Sequence, residues 1–369
     1  MWYFFVKVPF YYITDMKKLW LFSFLFTVVH SLLAQEVYRD STLTKFFKRE
    51  TGMIAADGGY SIPLSDGRVM WLFGDSYIDD YNTFTKSTPC LFGANNSVLI
   101  QPFANWDWHN TKTLPGSKGT QSFFKDKPDN FIWPINGFQQ GDTVFVLCLN
   151  LHKTGTGAYD MKTLPPTWAK IYLPAMKVVT YTPLQDFNGI GFGQGFIKEK
   201  SYVYTYGLKD SKIYIARFPD NDPNSPWAFW DGKNWQSDIK KIAVIADAPG
   251  FSTFFTKIRG KYLYLSTEFS LACDNGKAIY SSTSDKITGP FTKRKVIYTI
   301  PDDKEGHRPF FYGPDAHPEY INSKDELLIT YSINGYAPCI PTCVDGRFDP
   351  ENYRLQALRV PLKLIDSGL

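Results

Sequence analysis

The sequence predicts an all-β protein, a five-bladed β-propeller, and three observations indicate it. A short strand, a turn and an aromatic-rich strand recur along the 369 residues. The aromatic-rich strands begin 58 to 73 residues apart, at Trp71, Val144, Tyr202, Tyr262 and Leu327. Aromatic residues make up 17% of the chain, which suits sheets stacked face to face, and no long amphipathic helix is visible. Repeats of this length are typical of propeller blades, whose innermost strands all start at one central funnel.

Blade one is expected to begin at residues 57–64. The dipeptide Asp66-Gly67 predicts a two-residue hairpin turn, after which residues 69–75 return as the second strand. Residues 95–101 supply an outer strand. The lead-in segment before this blade, residues 35–56, is polar and predicts one short helix.

The other four blades repeat the same order of strand, turn and strand, and turn residues such as Gly141 and Gly260 separate their first two strands. Residues 57–365 are therefore expected to form a single propeller domain. The predicted first and second strands are residues 131–138 and 143–149 in blade two, 192–196 and 202–207 in blade three, 250–255 and 262–268 in blade four, and 315–319 and 327–333 in blade five.

The N-terminus predicts export. Residues 16–34 combine two lysines, an apolar run and a small-residue cleavage context, which is the pattern of a signal peptide. Residues 1–15 precede it and are interpreted as a spurious extension from an upstream start codon. The expected location is secreted or periplasmic, without a membrane anchor after cleavage. The alternative is that the apolar run stays as an anchor.

The net charge and the cysteine spacing limit the classes of ligand that the protein is expected to bind. The net charge of +4 and the lack of a basic stripe argue against nucleic-acid binding. Export would permit disulfides, and Cys339 and Cys343 could close a small loop. Cys148 is expected to be a buried small residue within a strand. The cysteine spacing fits no zinc pattern, so no metal site and no cofactor are predicted, although a structural calcium ion would be compatible with the fold.

Asp57 and Asp75 are the strongest candidates for catalysis. The predicted hairpin turn places Asp75 opposite Gly58 and therefore beside Asp57, at the end where the innermost strand begins. Glycoside hydrolysis needs two carboxyl groups that flank the bond, one as acid and the other as base or nucleophile. The alternative is that Asp57 caps a turn and Asp75 binds backbone amides at a strand end.

His317 and Glu319 are supporting candidates. They are expected to open the innermost strand of blade five, which would lie beside blade one once the ring closes. A histidine there could bind an aspartate or a sugar hydroxyl, and Glu319 would point to the same strand face. The alternative is a buried histidine that is satisfied by neighbouring polar groups.

Four residues at the starts of the other innermost strands are predicted to bind substrate. They are neutral hydrogen-bonding side chains and one aromatic ring, which suit the hydroxyl edges and the apolar face of a sugar. The alternative for the tryptophan is core packing. The four are Trp133, Asn136, Gln194 and Thr253.

Residues 57–76 resemble the opening blade of a family of secreted bacterial five-bladed propellers of formerly unknown function, some of whose members are endo-D-arabinanases. Residues 316–319 with 327–334 resemble its last blade. Residues 279–284 with 289–291 are similar to blade four of arabinanase- and fructosidase-type glycosidases. The resemblance implies that Asp57 and Asp75 are catalytic. The arabinanase-type enzymes place a glutamic acid at the start of blade three, where this chain has Gln194.

The sequence therefore predicts an exported, monomeric glycoside hydrolase that cleaves a furanoside-rich, arabinan-like polysaccharide with a carboxylate pair. The alternative from another class is a non-catalytic propeller that binds glycans. A third alternative is a structural surface protein with a plugged funnel.

Overall fold

Five antiparallel sheets follow one another along the chain in the computed structural model, which describes residues 36–115, 121–125, 127–157 and 160–369. The all-β prediction is confirmed. The predicted signal peptide and N-terminal extension lie outside the described residues. Within those residues, no helix combines the length and the apolar character that crossing a membrane would need.

The first sheet contains four strands and follows a short entry segment. Helix α1 forms because the Asp40 carboxylate caps it, accepting from the amides of Thr42 and Leu43 at 2.9 and 3.2 Å. In chain order the elements are β1 (Tyr38–Arg39), α1 (Ser41–Phe47), β2 (Met53–Pro63), β3 (Arg68–Ile78), the separate strand β4 (Thr88–Pro89), β5 (Ser97–Pro102) and β6 (Lys112–Leu114).

The second, third and fourth sheets are each built from consecutive strands. The second has β7 (Asn130–Gln140), β8 (Thr143–Lys153), β9 (Met161–Tyr172) and β10 (Lys177–Pro183). The third has β11 (Gly191–Glu199), β12 (Tyr202–Lys209), β13 (Lys212–Pro219), β14 (Ala228–Trp230), β15 (Trp235–Gln236) and β16 (Ala246–Asp247). The fourth has β17 (Thr253–Ile258), β18 (Lys261–Thr267), β19 (Ala278–Ser284) and β20 (Lys295–Thr299).

The fifth sheet joins the two ends of the described chain. Its strands are β21 (Phe311–His317), β22 (Glu326–Ile333) and β25 (Leu355–Pro361), and β1 pairs with β25 at its outer edge. A small separate sheet consists of β4, β23 (Cys343–Val344) and β24 (Arg347–Phe348). Helix α2 (Leu362–Ile365) follows β25. The lead-in thus contributes the predicted helix and also a strand that the sequence did not predict.

Hydrophobic clusters fill the spaces between neighbouring sheets. One cluster joins the first and second sheets, others join second to third, third to fourth and fourth to fifth, and another joins the fifth back to the first. The first strand of each sheet contacts the first strand of the next, and β21 contacts β2. Each of β2, β7, β11, β17 and β21 therefore packs against two others of this set.

Two disulfides join distant segments of the chain. Cys90 is bonded to Cys343 and Cys273 to Cys339, so the bond between Cys339 and Cys343 that the sequence allowed is not formed. Cys148 is free and fully buried within β8, as predicted. The observed bridges link the first sheet's long loop and the fourth sheet's loop to the segment that follows β22.

Candidate active site

A β-bulge places Asp57 beside Asp75. The amide of Leu64 bonds to the carbonyl of Arg68, which closes a three-residue loop, residues 65–67, between β2 and β3. The predicted two-residue turn is therefore wrong. Ala56 pairs with Ser76 while Gly58 pairs with Phe73, so Asp57 faces both Gly74 and Asp75. The register differs by one residue from the predicted one, but the two aspartates still lie side by side.

Gly74 allows the Asp57 carboxyl group to lie against β3. A Cβ atom on Gly74 would be 2.3 Å from Oδ1 of Asp57, closer than any non-bonded contact allows. The Asp57 carboxylate also accepts a hydrogen bond from the backbone amide of Asp75. The Asp57 side chain is thus fixed across the strand, next to the residue that carries the second carboxylate.

Two tyrosines from the fifth sheet and its following loop complete the surroundings of Asp57. The Tyr312 hydroxyl donates to Oδ2 of Asp57 at 2.6 Å and accepts from Nδ2 of Asn334 at 3.2 Å. Tyr353 also forms a hydrogen bond with Asp57. Burial raises the pKa of Asp57, and the hydrogen bonds from the hydroxyls and backbone amides offset this only in part. Burial and the nearby Asp57 charge raise the pKa of Tyr312, so its hydroxyl remains a donor.

Asp75 is held by the predicted tryptophan of the second sheet. Nε1 of Trp133 donates to Oδ1 of Asp75 at 3.0 Å. The Trp133 ring is half-buried and meets Phe131 edge-on, with ring centroids 5.5 Å apart. Trp133 therefore combines a packing role with a direct contact to one of the two candidate carboxylates.

Gln194 and Thr253 meet where the third and fourth sheets adjoin. The Thr253 hydroxyl donates to Oε1 of Gln194 at 3.1 Å, and Nε2 of Gln194 donates to the Gly191 carbonyl at 3.2 Å. The register of β11 shifts between Phe192 and Phe196, which makes Gln194 part of a bulge at the start of its strand. Asn136 differs from these residues, because it is buried and accepts from the amide of the next residue at 2.7 Å.

His317 and Glu319 lie at the opposite end of the fifth sheet's inner strand from the one predicted. Strand β21 starts at Phe311, so His317 is its last residue and Glu319 follows in the turn Pro318–Tyr320. Nδ1 of His317 contacts Oγ of Ser61 at 2.6 Å, and Nε2 contacts Oγ1 of Thr330 at 2.8 Å. The expected bond from His317 to an aspartate is replaced by these two hydroxyl contacts.

Burial sets the protonation of this pair. It lowers the pKa of His317 to about 3 and raises the pKa of Glu319 to about 7, and the Ser61 hydroxyl bonds to Glu319 as well. At neutral pH His317 is therefore an uncharged ring that packs on Trp71, with centroids 5.0 Å apart. These contacts describe a buried polar network between the first and fifth sheets.

Glu319→Gln is expected to change how stability depends on pH. A carboxyl whose folded pKa is raised from 4.5 to about 7 stabilises the fold below pH 4.5. That contribution is lost as the pH rises through 7, and the loss is up to about 3 kcal/mol. The free energy of unfolding, measured in urea between pH 4 and 8, should decline in the wild type and vary less in the variant. The titration of His317 contributes equally to both proteins. The exposed Glu50→Gln serves as control, and parallel curves for wild type and Glu319→Gln would refute the expectation.

The sequence analysis did not single out the two tyrosines. Tyr312 is the second residue of β21 and could have been found by starting that strand at Phe311. Asp315 is buried, its Oδ2 has no hydrogen-bond partner, and burial raises its pKa well above the ordinary value. Burial therefore favours the uncharged form of the Asp315 carboxyl group, which lies on the same strand as Tyr312.

The potential metal-ligand group and the two clefts found among the described residues do not include the carboxylate pair. Among the described residues, one group of potential ligands is close enough for a metal, Cys273, Asp274 and Cys339, but its two cysteines are joined in a disulfide. Two surface clefts of about 660 and 670 Å³ are lined by residues such as Lys86 and Lys177 respectively. Neither cleft contains Asp57 or Asp75, so cavity volume does not distinguish the carboxylate pair.

Solved structures share this arrangement of sheets. A candidate hydrolase from Bacteroides ovatus superimposes with a TM-score of 0.73 at 20% identity, over 90% of this chain and 92% of that one. An exo-β-1,3-galactanase from Phanerochaete chrysosporium gives a TM-score of 0.50 at 10% identity, and the match spans 90% of this chain and 66% of the galactanase. A GH43_1 enzyme from Xanthomonas citri gives 0.47 at 11% identity, over 87% and 92%. The match to the Bacteroides ovatus structure supports an all-β fold shared by the two chains.

The sequence itself places the chain in a family. The family model described as "Domain of unknown function (DUF5005)" matches residues 40–353. The chain belongs to this family. A search of curated proteins finds no match.

Proposed function

We propose that the five sheets are the blades of a five-bladed β-propeller and that the starts of β2, β7, β11, β17 and β21 line its funnel. The sequential contacts between these strands, including the contact of β21 with β2, support a closed ring. Strand β1 would close the ring by pairing with β25 of the last blade. In this arrangement Asp57, Asp75 and Trp133 lie at the same opening of the central funnel.

We further propose that the protein is a glycoside hydrolase whose carboxylate pair is Asp57 and Asp75. The observation that carries the proposal is the bulge that fixes the Asp57 carboxyl group against Gly74 and the Asp75 amide. The raised pKa of Asp57 suits a general acid that protonates the leaving oxygen. Asp75, oriented by Trp133, would activate water or attack the anomeric carbon.

The substrate we propose is a furanoside-rich, arabinan-like polysaccharide, and the protein is proposed to be exported. The resemblance of residues 57–76 to a family with arabinanase members supports the substrate. The signal-like residues 16–34 and the two disulfides support an oxidising compartment. The galactanase among the similar structures supports a glycan partner in general.

One observation favours a second candidate, a glycan-binding propeller without catalysis. Asp57 is held by two tyrosine hydroxyls and by backbone amides, which is the arrangement expected of a structural carboxylate. Blade three also presents the amide Gln194 where arabinanase-type enzymes have an acid. A binding module would bind glycans at the same opening of the funnel and release no product.

Incubation with glycans distinguishes the two. Purified protein is assayed for sugar release from arabinan, galactan, xylan and fructan, beside Asp57→Asn and Asp75→Asn. The control is Asp142→Asn, an exposed residue in the turn between β7 and β8. Product from the wild type and control but not from the two variants is the expected result. Full activity in both variants would refute the site, and binding to a glycan array without product would favour the binding module.

A further inference from the structure

Four aromatic side chains pack against one another next to Asp57, and two of them are exposed. Phe251 and Phe269 expose 41% and 50% of their surface, and their ring centroids are 6.4 Å apart. Phe251 lies 6.0 Å from Tyr312, which packs on the buried Phe310 at 4.9 Å. We call Phe251, Phe269, Phe310 and Tyr312 the aromatic wall.

The aromatic wall begins at the candidate acid itself. The hydroxyl of Tyr312 donates to Oδ2 of Asp57 at 2.6 Å, while the ring of Tyr312 packs against Phe251 and Phe310. Phe251 precedes β17 and Phe269 follows β18, so both exposed rings belong to loops of the fourth sheet. The two exposed rings lie at 82° to each other, so a ligand at Asp57 that extended towards the fourth sheet could stack on the face of one ring and contact the edge of the other.

Hydrogen bonds and a disulfide fix the loops that carry the wall. The amide of Gly313 donates to Oγ of Ser252 at 2.7 Å, which ties the residue after Phe251 to the residue after Tyr312. The amide of Phe311 donates to Oγ of Ser270 at 3.3 Å. The Cys273–Cys339 disulfide anchors the other end of the Phe269 loop. The exposed rings are therefore held in place before any ligand arrives, which lowers the entropic cost of binding.

We propose that the aromatic wall is a sugar-binding subsite that stacks the C–H face of the ring next to the cleaved bond. The inference rests on the proposed glycoside hydrolase function and extends it, because it assigns the fourth blade to substrate binding. Adjacent exposed phenylalanines lose apolar hydration when a ring covers them. Their continuity with a carboxylate site, which the hydroxyl edges of the same saccharide would meet, identifies a sugar as the occupant.

Binding measurements on inactive protein test the wall apart from catalysis. Phe251→Ala and Phe269→Ala are made in the Asp75→Asn background, and their dissociation constants for soluble arabinan and β-1,3-galactan are measured by calorimetry. Each variant is expected to raise the dissociation constant for the bound glycan about 2- to 12-fold. In the active protein the same changes should raise KM more than they lower kcat.

Two variants control the experiment. Tyr172→Ala removes a ring of similar exposure, 42%, at the end of β9 and should leave the dissociation constant unchanged. Phe269→Leu keeps apolar bulk and should fold normally while still binding more weakly. Unchanged binding in both alanine variants, equal weakening by Tyr172→Ala, or no binding of either glycan by the parent would overturn the subsite. Binding that depends on the wall without any hydrolysis by the wild type would retain the subsite and refute the proposed hydrolase.

Discussion

Asp57→Asn is expected to lower kcat on the natural polysaccharide by about 10²- to 10⁴-fold, the contribution typical of a general acid. Burial raises the pKa of Asp57, which favours a protonated carboxyl that can transfer its proton to the leaving oxygen. Asparagine has nearly the same shape and can still accept from Tyr312, but it has no proton to give. The loss is measured by steady-state hydrolysis of whichever glycan the wild type cleaves.

The leaving group separates this role from a structural one. An aryl glycoside whose phenol leaves without protonation should be cleaved by Asp57→Asn at a rate within about tenfold of the wild type. Asp75→Asn should be inactive on both substrates, because it lacks the base or nucleophile. Activity of the wild type should also fall as the pH rises through the pKa of Asp57, and that alkaline limb should be absent from the variant. Equal losses of Asp57→Asn on both substrates would mean that Asp57 is not the acid.

The adjacency of the two aspartates could be predicted from the sequence, but its local cause could not. The Asp-Gly dipeptide indicated a hairpin, and the hairpin exists with one more residue in its loop. The bulge beside Asp57 is marked by Gly58 and Gly59, whose φ angles are +84° and +97°. A glycine pair in a strand signals a bulge without saying which residues it displaces.

The fifth inner strand shows where local patterns fail. The dipeptide Gly313-Pro314 is typical of a turn, and the strand was predicted to begin after it, at Asp315. The structure keeps both residues inside β21, within an irregularity between Tyr312 and Asp315. His317 therefore lies at the end of the strand instead of its start, and Tyr312 is the residue of this strand that contacts Asp57. The disulfides were missed for a different reason, because sequence spacing does not determine which cysteines pair.

Replacing Cys90 and Cys343 together with serine is expected to give the largest loss of stability of any change away from the site. Their bridge joins residues 253 positions apart and connects the long loop of the first sheet to the segment between β22 and β25. Loop-closure entropy assigns such a bridge roughly 5 kcal/mol, and strain or residual unfolded structure reduces that figure. The free energy of unfolding is measured by guanidinium denaturation, with the oxidised wild type as reference.

The second disulfide supplies a matched comparison. The Cys273–Cys339 bridge spans 66 positions, and its loss should cost about 1 kcal/mol less than that of the first bridge. The two disulfides also differ in the segments that they stabilise. Loss of the first should increase hydrogen exchange in β4, β23 and β24, which form the small sheet around Cys343. Loss of the second should instead loosen the Phe269 loop and weaken glycan binding. Identical exchange patterns in the two double variants would contradict this division, since each bridge is expected to stabilise the segment that it joins.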